Sequence, residues 1–317
     1  MAFEYKIESG SSLTSSQEDR LEKIENLHFP FGDITCLKDL RGKIGLQVMV
    51  GNRATMLQEW ENYLAQNKKL HRVFFGGERS QACHRHQGEI VYRRYFAEEQ
   101  VRQAKEPRED FFPFLGLYTR NYQWWSGKGI PKVVLITDSI RDYACRANIK
   151  EDIVFGLVFI QEMMHAYFDS LNSKGFPSIL SLEESFSEFA MISFVDKSPA
   201  IHDMLQDAKG YVASKIGKRP YEGGYGIELF ERSGGESFNM IRRYRRISNW
   251  IEPPYLYGNT YNDSVREYHK DHSKENAAKV FEDIIEILDK EWDEPSDPIQ
   301  PAIGDTWGYT KKPIKSI

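Results

Sequence analysis

The segment that most constrains this chain is residues 151 to about 172, EDIVFGLVFIQEMMHAYFDSLN. Its apolar residues include Ile153, Val154, Leu157, Val158, Ile160, Met164 and Tyr167, and they recur at helical spacing. They also cover a wide arc of the helix rather than a narrow stripe. A helix apolar around so much of its circumference is expected to be largely buried, with other elements packed around it. In its middle stand three polar residues, Gln161, Glu162 and His165.

The rest of the chain offers material to surround such a helix. PKVVLITD (131–138) is the clearest strand, and SIRDYACRAN (139–148) reads as the helix that follows it. Asp152 is a candidate cap for the long helix. Strand character with glycine stops marks 43–51 and 71–78, and 89–96 continues it. Helical periods mark 55–67, 180–195, 199–216, 221–234, 236–248 and 273–292. Residues 1–25 are polar and rich in Ser and Glu, a loose arm or a short helix. We therefore expect an α+β protein: a mixed α/β region over 26–130 holding a small sheet, then a mostly helical lobe over 131–295. Residues 296–317, punctuated by proline, read as an extended tail. The length of 317 residues suffices for one large domain or two modest ones.

Gln161 and His165 are i, i+4 neighbours, about 40° apart around the helix axis, so their side chains converge on one point. Glu162 is rotated about 100° from Gln161. In the His-Glu-x-x-His arrangement two imidazoles hold zinc, and the glutamate takes a proton from a zinc-bound water. Here the spacing survives with Gln161 at the first ligand position. Zinc with an open coordination position needs a third protein ligand. Glu184 follows His165 by nineteen residues, within EESFSEF, and Glu188 lies four residues further on the same expected helix. One carboxylate can face a metal while the other orients a ligand from behind.

On these residues the chain resembles the gluzincins, the metallopeptidase group that includes thermolysin and the zinc aminopeptidases. Those aminopeptidases place eighteen residues between their second histidine and the ligand glutamate, as residues 166 to 183 do here. Their Asn-Glu-Gly-Phe-Ala motif reads beside Glu183-Glu184-Ser185-Phe186-Ser187, and thermolysin has an acid four residues past its ligand, as Glu188 is here. RPYEGGYGIELFERSGGESF (219–238) is similar to the Pro-Tyr-Glu-Lys-Gly-Phe segment of aminopeptidases related to leukotriene hydrolase. The resemblance covers about residues 131 to 240. It implies a zincin-like lobe with the active-site helix at a cleft, and a peptide or protein substrate. It implies zinc held by position 161, His165 and Glu184, with Glu162 as the base and Tyr221 supporting the oxyanion. Glu188 is then a supporting carboxylate. Asp169, one turn past His165, reads either as a further one or as an exposed helix acid. Two departures stand: the interval from Glu184 to Tyr221 is shorter than in those aminopeptidases, and the Gly-x-Met-Glu-Asn exopeptidase motif is absent.

Glutamine offers a neutral amide oxygen, a weaker donor than imidazole nitrogen. Losing a group that merely supports a ligand already costs about 10–100-fold in affinity or activity, so replacing a ligand costs more. Position 161 thus leaves three readings: an inactive relative used for peptide or protein binding, an introduced substitution, or weak ligation through the amide. Zinc occupancy is in question in each.

Charge and composition narrow the alternatives. The formal charge is −5, so no global positive field points to nucleic acid. The cluster Arg242-Arg243-Tyr244-Arg245-Arg246 reads as a solvated helix face. Cys36, Cys83 and Cys145 are scattered and odd in number, which fits a reducing, cytoplasmic setting. Cys83-His84-Arg85-His86 lacks a partner pair at zinc spacing. No apolar run approaches the length of a membrane span. Oligomeric state leaves no mark in the sequence.

Overall fold

The structure is a computed structural model, and it describes residues 3–7, 11–31, 34–58, 61, 101–102, 112–119, 131–171, 180–216, 218, 225–234 and single positions between 267 and 282. It is an α+β fold, a four-stranded mixed sheet followed by a mostly helical region. The strands are β1 (Lys6–Ile7), β2 (Gln47–Gly51), β3 (Gly116–Thr119) and β4 (Lys132–Ile136), in the spatial order β1-β2-β4-β3. β1 and β4 flank β2 in parallel, and β3 pairs antiparallel with β4.

Both faces of β4 are apolar, as expected of a strand covered on two sides. Val133 and Leu135 of β4 turn into the main core, while Val134 and Ile136 join a smaller cluster with Met56 and Phe114. That alternation is the period-two geometry of a strand. The main core is the helical side.

α1 (Ser15–Glu25) and α2 (Leu37–Ile44) precede β2. β4 leads straight into α3 (Thr137–Ala147), which ends at Asn148 in a left-handed conformation (φ 54°). α4 (Glu151–Leu171) is the long buried helix, and α5 (Leu180–Lys197) packs along it. A 3-10 turn (Pro199–Met204) leads into α6 (Leu205–Lys215), and α7 is Gly226–Arg232. Residues 151–171 therefore form one helix as the periodicity predicts. The stretch 199–216 splits into a 3-10 turn and an α-helix, with Pro199 at the start of the turn.

α4 packs against β3, β4, α1 and α5, and this enclosure is what its wide apolar arc requires. Phe155, Leu157, Val158, Phe159 and Ile160 are all fully buried. The polar stretch at 15–25, open between arm and helix in the sequence, is a helix. Thr14 caps it through a capping box: its hydroxyl accepts from the Gln17 backbone N–H at 3.3 Å, and its own N–H donates to Gln17 Oε1 at 2.7 Å. Leu21 and Ile24 bury fully against α4. The contact is close at Gly156, where an added Cβ would lie 2.8 Å from Ile24 Cδ1 and that methyl would have to shift. Asp152 does not cap α4. It lies in the first turn and pairs with Arg20 of α1 at 3.0 Å.

Three elements had no forecast in the sequence: β1, α2 and β3. The forecast strands at 71–78 and 89–96, the helix at 236–248, the tail over 296–317, the arginines of 242–246 and Cys83 to His86 lie outside the described residues. No helix among the described residues is long and apolar enough to cross a membrane.

Candidate functional site

Gln161, Glu162 and His165 occupy the middle of α4, and Glu184 and Glu188 the first half of α5. The two helices pack together and bring these residues into one buried cluster. Gln161 Nε2 donates to Glu184 Oε2 at 3.0 Å. His165 Nε2 lies 3.4 Å from Glu184 Oε1. The amide and the imidazole thus address different oxygens of one carboxylate, twenty-three residues away from Gln161 in sequence.

The remaining contacts come from residues that the motif did not indicate. Ser187 Oγ sits 3.1 Å from His165 Nδ1 and 3.2 Å from Nε2. Lys215, at the end of α6, donates from Nζ to Gln161 Oε1 at 2.7 Å and lies 3.5 Å from Glu188 Oε1. Its ammonium also stands over the Tyr211 ring, 4.6 Å from the centroid, and 5.8 Å from that of Phe112. Lys215 and Glu188 are 1% and 0% exposed at their side chains, so this ion pair is shielded from water. A sequence signal for Lys215 exists. Ala208, Tyr211 and Val212 form a buried stripe on α6, and Lys215 continues it at i+4 from Tyr211.

β3 closes the site from the sheet side. At Gly116 an added Cβ would fall 2.5 Å from Val158 Cγ1 and 3.0 Å from Glu162 Cγ, so only glycine allows the strand to lie this near α4. A backbone hydrogen bond from Tyr118 reaches Glu162. Burial pushes the Glu162 carboxyl up to about 7; Glu184 adds to the rise, while His165, Lys215 and the Tyr118 bond oppose it. A carboxyl with that value exchanges its proton near neutrality, which suits a general acid or base. Tyr211 is buried too, and desolvation together with the nearby Glu162 holds its hydroxyl well above the usual tyrosine value.

Asp169 lies on α4 one turn beyond His165, with its side chain outside the described part of the molecule. Tyr221 also lies outside the described residues.

The donor chemistry of His165 and Glu184 suits zinc, an imidazole and a carboxylate close together. Position 161 does not suit it. The amide oxygen that would face a metal accepts from Lys215, and the amide nitrogen covers Glu184 Oε2 with an N–H. A divalent cation there would also meet the ammonium as a like charge. The cluster as folded therefore does not fit a three-ligand zinc site. Among the described residues no group of three or more His, Cys, Asp or Glu is arranged to hold a metal ion.

Compared with known proteins, the chain matches no family model, no curated protein and no solved structure.

Proposed function

We propose that the chain is a gluzincin-type zinc metallopeptidase by descent, a peptide-bond hydrolase impaired by glutamine at position 161. One observation carries the reading. Gln161, His165 and Glu184, singled out by their spacing, meet in one buried cluster through the 3.0 Å and 3.4 Å contacts to Glu184, with Glu162 buried beside them. Chance helical motifs have no reason to converge in this way. Zinc is the cofactor implied, and a peptide or protein the substrate. A cytoplasmic setting, without nucleic acid or membrane as partner, belongs to the same reading and rests on the charge and the scattered cysteines.

The test is Gln161→His. Zinc bound per chain and hydrolysis of a quenched-fluorescence peptide library are measured for the unsubstituted and Gln161→His proteins. Both quantities rise in the substituted protein, and Glu162→Gln added to it removes the hydrolysis while keeping the metal. Negligible zinc at saturating zinc in both proteins, and in Gln161→His/Lys215→Gln as well, overturns the reading.

A second reading is favoured by the bond from Lys215 to Gln161: a fold of the same lineage that binds a peptide or protein without chemistry. In that case Gln161→His gains metal but cleaves nothing in the library.

A further inference from the structure

The metallopeptidase reading does not use Lys215, and this residue is placed too definitely to be incidental. It is fifty-four residues from Gln161 in sequence and arrives on a separate helix. A fully buried lysine carries a heavy desolvation cost unless its charge and its three donors are matched. Here the charge is compensated on two sides. Gln161 Oε1 accepts a hydrogen bond at 2.7 Å, and the Glu188 carboxylate brings a negative charge to 3.5 Å. Tyr211 and Phe112 supply ring faces at 4.6 and 5.8 Å. Tyr211 is itself held edge-on by Tyr143, whose hydroxyl lies 2.9 Å from Ser214 Oγ on α6. The ammonium therefore has little room to withdraw.

We propose that the Lys215 ammonium is the resident cation of this site, fixing Gln161 and Glu188 and keeping divalent metal ions out. The inference rests on the gluzincin reading of the cluster and adds a second, independent barrier to metal uptake. Two changes then separate this chain from a metal site: the amide at 161 and the positive charge at 215. Restoring the imidazole alone leaves a cation beside the incoming metal.

The test compares the unsubstituted protein, Gln161→His, Gln161→His/Lys215→Met and Gln161→His/Lys215→Gln. The last keeps a donor for the group at position 161 but no charge, and it carries the test if the methionine variant does not fold. Zinc affinity is read by competition with a chromophoric chelator, and melting temperature is recorded with and without zinc. The expected result is an increase over Gln161→His of at least about tenfold in affinity when the charge at 215 is removed. The added zinc should raise the melting temperature of the double variants by more than that of Gln161→His. If Gln161→His gains zinc and removal of Lys215 adds nothing, the resident-cation proposal falls and the gluzincin reading stands. If neither Gln161→His nor the double variants bind zinc, both fall.

Discussion

Nζ of Lys215 lies 2.7 Å from Oε1 of Gln161, joining the last residue of α6 to the centre of α4. The same ammonium faces Glu188 on α5, so one side chain ties three helices together. Removing it strands a buried carboxylate. Lys215→Met should destabilise the protein by about 3–5 kcal/mol, measured by urea unfolding. Adding Glu188→Gln to it should recover part of the loss, because the orphaned charge is gone. A cost within experimental error for Lys215→Met would show that the ion pair does not bear on stability.

Glu162 predicts a pH dependence. Its carboxyl is raised by burial from 4.5 to about 7, so folding favours the protonated form. The stability this provides is complete below about pH 4.5 and is lost as the pH climbs through 7. The shift corresponds to about 3 kcal/mol for this buried group. Glu162→Gln should flatten the decline in unfolding free energy between pH 4.5 and 7.5. An unchanged slope in the variant would place the dependence elsewhere.

At Gly116 the contact is steric. Alanine would put a Cβ 2.5 Å from Val158 Cγ1 and near Glu162. Gly116→Ala should cost about 1–3 kcal/mol and lift β3 from α4. Val158→Ala in the same chain should restore part of the loss by making room. Thermal melts of the three variants decide it, and a silent Gly116→Ala would mean the strand yields without cost.

The N-terminal helix should prove integral to the fold. Leu21 is 0% exposed against α4, so Leu21→Ala is expected to lose about 2–5 kcal/mol. Thr14→Ala, which breaks the capping box, should lose about 1 kcal/mol. A free-standing arm would give neither effect in denaturant titrations.

Much of the site was legible because it is written locally. The i, i+4 relation of Gln161 and His165 and that of Glu184 and Glu188 follow from helical geometry once α4 and α5 are recognised. The wide apolar arc of residues 151–171 foretold the burial observed at Phe155, Val158 and Ile160. Less was legible where short segments depend on their surroundings. β1 has two residues and β3 four, and each is a strand because of the neighbour it pairs with. At α1 arm and short helix both stayed open, because its few apolar positions gain their meaning only against α4.

The sequence by itself determined which residues α4 and α5 turn toward one another, since side-chain spacing along a helix fixes direction. Only the tertiary structure decided what those residues do on meeting. It set Gln161 between a carboxylate and an ammonium instead of facing an open position, because α6 delivers Lys215 from fifty-four residues away. Charge pairing across that distance depends on the docking of three helices, and no local pattern encodes it.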